Sequence, residues 1–218
     1  MPRFMKPAAL LLVLALPACK ILPTEQATKQ SGVDTFFDDK SFDPDKMVRE
    51  MWDSKVIPYL NAKAGSLVEV RELARTSADE AGKKYGSRQK EGNAPWTVVA
   101  RIEGKVVAAN TASRAATIDI DADGDGKADA SVQIGPAMRG TALRDALDFV
   151  SFNTFTNQID FAKFGKAFNQ HVDRTTLSAL PRDKLVGRQV TILGAFPLDK
   201  TASLPLVTPA VVTLGPAS

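Results

Sequence analysis

The run Asp119-Ile-Asp-Ala-Asp-Gly-Asp-Gly-Lys-Ala-Asp129 places five carboxylates in eleven residues, with two Asp-Gly steps. Hard oxygen ligands spaced in this way suit calcium. In the register that starts at Asp119, the leading ligands are Asp119, Asp121 and Asp123, Gly124 makes the turn, and Ala130 falls at the closing position. In the register that starts at Asp121, the ligands are Asp121, Asp123, Asp125, the Lys127 carbonyl and Asp129, with Gly126 at the turn and Val132 at the close. Both registers lack the bidentate glutamate that closes a helical calcium loop. The same residues suit a tight hairpin whose Asp-Gly steps supply positive backbone angles. Both readings stay open, with calcium as the candidate ion and no cofactor certain.

Other groups able to do chemistry are sparse. His171 is the only histidine and falls near the end of a helical stretch, where a partly exposed side chain is expected rather than a general base. Zinc spacing, a nucleophile elbow and a phosphate loop are absent from the sequence. Paired carboxylates occur only in the acidic run, so the sequence leans against an enzyme. A polar group, Arg139, Arg144, Asn153, Asn157 and Gln158, fringes a phenylalanine-rich segment. These five side chains are the candidates to contact a sugar, an acidic group or a partner protein.

Cys19 is the only cysteine, so disulfides are excluded. It closes Leu16-Pro-Ala-Cys19, which resembles a bacterial lipobox. Arg3 and Lys6 precede an apolar run from Ala8 to Leu16 that is too short to span a bilayer. Residues 1–18 therefore read as a lipoprotein signal peptide, with Cys19 as the lipidation site. Each buried methylene of an acyl chain adds about 0.8 kcal/mol, and two chains or more make the anchor stable. The expected setting is the cell envelope, facing the periplasm and held to the lipid bilayer, with either membrane open. Taking Arg3 and Lys6 from the 28 basic residues leaves 26 against 25 acidic ones. No strong positive field remains, and the strands lack the basic and exposed aromatic residues that bind nucleic acid.

Residues 19–33 are polar and aperiodic, as a tether would be. Residues 34–85 carry two helical patterns. Asp43 and Pro44 begin the first, and its stripe includes Met47, Val48, Met51, Trp52, Val56, Tyr59 and Leu60. Ser66 and Glu69 form a capping box for the second, with Val70, Leu73, Ala74 and Ala81 on its apolar face.

From residue 96 to 215 the period is two. Val98, Ala100, Ile102, Val106 and Ala108 face one way, with Gly104 as the expected bend, and four further alternating runs follow. A long helical insert at 136–183 separates the third strand from the fourth. Its phenylalanines, at 149, 152, 155, 161, 164 and 168, suit either a plug at one barrel end or an aromatic surface. The fold class is α+β: a five-stranded OB-like β-barrel with a helical insertion between strands 3 and 4 and an N-terminal helical pair.

The run GPAMRGTALRDALDFVSFNTFTNQIDFA, preceded by DGDGKADASVQIGP, resembles the bacterial lipoprotein family known as domain of unknown function 2291. The lipobox and the final strands extend the likeness over nearly the whole chain. The resemblance implies an OB-like barrel and an accessory envelope role beside a sugar-type ABC transporter or its solute-binding protein. The alternative is a module that binds a sugar or calcium directly. The family supplies no catalytic residues.

Overall fold

The Asp43 carboxylate accepts a hydrogen bond from the Lys46 amide, and Pro44 occupies the first turn, so helix α1 spans Pro44–Met51. A π-helical turn at Trp52–Val56 follows, then α2 at Ile57–Lys63. Pro58 lies just past the wide turn, in which the Ile57 amide reaches back to the Trp52 carbonyl. The extra residue accommodates a ring that has no N–H and would crowd the preceding helical turn. A short strand β1 (Gly65–Ser66) leads to α3 (Leu67–Thr76), whose Ser66–Glu69 capping box has both reciprocal bonds. The helix expected to run on through Ala81 breaks at Ser77. That side chain caps a new helix, α4 (Ala78–Tyr85), by accepting from the Glu80 amide. The computed structural model describes residues 42–89, 94–199 and 204–216. These belong to a single unit spanning Asp34–Ser218. Cys19, the signal segment and the tether lie outside the described residues.

After strand β2 (Gly86–Ser87) come the five barrel strands: β3 (Thr97–Asn110), β4 (Thr117–Asp121), β5 (Ala130–Gln133), β6 (Gln189–Pro197) and β7 (Leu206–Leu214). Around the barrel the order is β3–β4–β5–β7–β6, and a β6–β3 pairing closes the circle. The β5–β7 pair is parallel, and the other barrel pairs are antiparallel. The OB-like α+β architecture expected from the sequence is the one observed.

The first half of β3 pairs with β6 and its second half with β4, so one long strand serves both sides. The irregularity in β3 is at Val107, not at Gly104. It reverses the phase of the strand, so Ala109 rather than Ala108 pairs with the inward-facing Ile118. Gly104 has a different constraint: a Cβ there would lie 2.1 Å from the Asp121 carbonyl oxygen.

Two apolar cores result. One fills the barrel with Val98, Ile102, Ile120, Val132, Ile192 and their neighbours, and α3 adds Leu67 and Val70 to it. The other lies on the outer face of the wall, where Val99, Leu193, Ala195 and Ala210 meet the helices. The insert contributes α5 (Ala142–Asp145), a 3-10 turn (Phe152–Thr154), α6 (Gln158–Val172) and a π-helical turn (Asp173–Leu177). Its Phe155, Phe164 and Phe168 pack with Val48, Trp52 and Leu60 of the N-terminal helices in this outer core. The phenylalanines therefore join two helical segments to the barrel's outside wall, and α3 supplies the apolar residues that enter the barrel's own core.

Candidate functional site

The acidic hairpin is tied together from within. Asp121 is only 8% exposed, although strand alternation beside the inward-facing Ile120 would turn it outward. Its two carboxylate oxygens accept from the amides of Gly124 (2.7 Å) and Gly126 (3.0 Å), glycines with φ of 85° and 84°. Asp129 accepts from the amides of Ala122 and Asp123, and its other oxygen lies 2.6 Å from the Arg71 guanidinium of α3. Asp123 accepts from the Asp125 amide.

Asp121, Asp123 and Asp129 each bring a carboxylate oxygen within 4.8 Å of the others. Asp125 instead accepts from the Lys127 amide and pairs with the Lys127 ammonium, and the amide bond is the main reason its carboxyl is held below the usual range. Strand β4 ends at Asp121 and β5 starts only at Ala130, so two-residue alternation does not govern the residues between them.

Arg139 and Arg144 are brought together, lining a cavity of about 410 Å³. Its buried side includes Thr97, Ala142, Arg144 and Thr208, while Arg139, Gly140, Pro95 and Pro197 form the exposed edge. Arg144, 7% exposed, is caged by its surroundings. Its Nε and Nη2 donate to one Asp145 oxygen at 2.8 and 2.6 Å, Nη2 also reaches Thr141 Oγ1, and Nη1 donates to the Phe161 carbonyl. The guanidinium carbon lies 3.6 Å from the centre of the Phe161 ring. Thr141 donates to the second Asp145 oxygen at 2.6 Å. A buried guanidinium is tolerated when its charge and donors are met in this way.

Gln133, also buried, holds the cavity's rim to its floor. Its oxygen accepts from the Arg139 amide at 2.6 Å, and its Nε2 donates to the Arg139 carbonyl and to Thr208 Oγ1. Sequence reasoning missed Gln133 and Thr208, whose one signal was a polar residue on a strand that otherwise alternates.

Asn153, Asn157 and Gln158 do not line this cavity. Asn157 caps α6, accepting from the Asp160 amide and donating to the Asp160 carboxylate. Asn153 lies in the 3-10 turn, and Gln158 is exposed in the first turn of α6.

His171 differs from expectation. It is 7% exposed, its ring 4.4 Å from that of Trp52, and burial lowers its pKa, with Arg174 adding to the effect. Phe149 remains 42% exposed and meets Tyr59 edge-on, while Ile159 is 67% exposed. Burial pushes the Tyr59 hydroxyl up to about 12.

The closed strand order with a parallel β5–β7 pair defines an OB-fold barrel, extended here by an outer helical layer. The chain belongs to the family of predicted periplasmic lipoproteins (DUF2291), which it matches over residues 9–213. It is thus a lipid-anchored envelope protein that faces the periplasm. Among the described residues no helix is long and apolar enough to cross a membrane. A crystal structure of an OB-fold protein from Thermotoga maritima MSB8 is similar in fold, at 18% identity and a TM-score of 0.62, covering 80% of this chain and 99% of that one. No curated protein matches the chain.

Proposed function

We propose that this lipoprotein is an accessory or binding component that acts with a sugar-type ABC transporter or its solute-binding protein, anchored by acyl chains on Cys19. The family resemblance supplies the partner class. The observation that carries the reading is the helical layer itself. The insert and the N-terminal helices are built onto the barrel's outer wall and leave Phe149 and Ile159 exposed on one segment. Among the described residues these two are the large apolar side chains that the insert exposes, and a docking protein would cover them. The chain's single histidine is packed against Trp52 in the same layer.

Crosslinking in intact cells, followed by identification of the captured proteins, tests the partner. A transporter subunit or a solute-binding protein is expected, with capture reduced in a Phe149→Ser, Ile159→Ser double variant. Recovery of neither class would sink the proposal. Replacing Cys19 by Ser is expected to move the protein from the membrane fraction to the soluble fraction. Retention in the membrane fraction would count against Cys19 as the acylated residue.

A second reading, a cation held by the hairpin, is favoured by the approach of Asp121, Asp123 and Asp129. It is opposed by Arg71, whose guanidinium already lies against Asp129.

A further inference from the structure

We propose that the cavity between α5 and the β6–β7 end of the barrel binds a small hydroxylated organic acid, with the carboxylate at Arg139 and the hydroxyls toward Thr97 and Thr208. At about 410 Å³ the space is at the low end of small-molecule sites, too small for a folded partner to enter.

The charge balance selects an anion. Among the described residues, two arginines and one aspartate line the cavity. Asp145 is neutralised by Arg144 through two hydrogen bonds and also accepts from the Thr141 hydroxyl, and Arg144 is neutralised in turn. Arg139 is exposed, and its guanidinium has no carboxylate partner among the described residues. Among the described lining residues the one uncompensated charge is therefore a cation, and its planar fork matches a carboxylate.

The floor selects hydroxyls. Thr208 Oγ1 accepts from Gln133 Nε2, so its own hydrogen is left for a ligand oxygen, and Thr97 presents a second buried hydroxyl. A site built to hydrogen-bond hydroxyls rejects analogues that lack them, because its buried polar groups are then left unpaired.

The walls are also set in advance. Gln133 fixes the Arg139 backbone and Thr208 together, and the Arg144 cage fixes the start of α5. Little ordering remains to oppose binding. This inference does not depend on the partner reading above.

The test is calorimetry on the detergent-solubilised full chain with gluconate and galacturonate, against glucose, galactose, acetate and inorganic phosphate. The sugar acids are expected to bind at least tenfold more tightly than the neutral sugars, acetate or phosphate. Arg139→Glu is expected to weaken the sugar acids at least tenfold with the melting temperature unchanged, since that side chain is exposed. Arg139→Gln should fall between the two, and Thr208→Val should weaken the sugar acids severalfold. Equal binding of neutral sugars, equal binding of acetate or phosphate, unchanged affinity in Arg139→Glu, or no binding by either sugar acid each overturns the proposal.

Discussion

The acidic hairpin and the arginine cavity use charge in opposite ways. The hairpin has many carboxylates, yet backbone amides and two cations, Arg71 and Lys127, already engage them. The cavity has few charges, and one of them, Arg139, is left without an ion-pair partner among the described residues. A dense cluster of like residues is thus compatible with a purely structural role, because Asp and Gly together close a tight loop. A single unmatched group beside a walled cavity is the stronger pointer to a ligand.

The sharpest way to break that contrast is to damage the cage. Arg144→Leu leaves the Asp145 carboxylate, the Thr141 hydroxyl and the Phe161 carbonyl without their shared donor. Breaking a buried pair by removing one member costs about 3–5 kcal/mol. Chemical denaturation should show a loss of that order. A loss under about 1 kcal/mol would mean that the cage is solvated and does not brace the cavity.

On the hairpin side the effect should be smaller. Asp129→Asn removes the charge that faces Arg71, in a pair whose side chains are 23% and 17% exposed. The asparagine oxygen can still accept from the Ala122 amide, so a loss of about 1–2 kcal/mol is expected by denaturation. A loss as large as that for Arg144→Leu would erase the difference between the two regions.

Legibility in the sequence followed the same division. Local chemistry was readable: the Asp43 cap, the Ser66–Glu69 box and the alternation of β6 each depend on neighbours in the chain. The strand order that closes the barrel was readable from the succession of patterns. Features set by distant contacts were not. Ser77 breaks a helix with a cap that had been hidden within an apolar stripe. Asp121 is buried because its carboxylate turns toward two glycine amides. His171 is buried because Trp52, more than a hundred residues earlier, packs on its ring. Of the five polar residues singled out around the phenylalanines, only Arg139 and Arg144 meet at the cavity, since Asn157 is used as a helix cap.

Acidification separates the regions more gently. His171 sits in the outer helical layer that also carries Phe161 to Arg144, near Asp45, Arg49 and Asp53 of the first helical segment and Arg174 of its own. Burial holds its pKa below the ordinary 6.5 in the folded protein. Its contribution is therefore whole above about 6.5 and is lost as pH falls from there through the lowered folded value, because the unfolded chain takes up a proton that the folded chain resists. The melting temperature should decline across this range, and His171→Phe should make the decline shallower. An identical pH profile in the variant would remove His171 as the cause.

The smallest expected effect is the response of the intact hairpin to calcium. Each Asp121 oxygen already accepts an amide hydrogen, from Gly124 or Gly126, and Asp129 is held by Arg71 and two further amides. An entering ion would have to displace a guanidinium held at 2.6 Å and compete for oxygens already in use. The wild-type melting temperature should therefore not move at millimolar calcium, the range in which extracellular calcium modules bind. Arg71→Gln changes the balance, leaving three carboxylates within 4.8 Å of one another without that cation. In this variant calcium should raise the melting temperature, since the ion then offsets a repulsion that Arg71 no longer relieves. A clear rise in the wild-type protein would reverse the argument and make the hairpin an ion site in which Arg71 yields to the metal. No rise in either protein would mean that the backbone amides alone satisfy the three carboxylates.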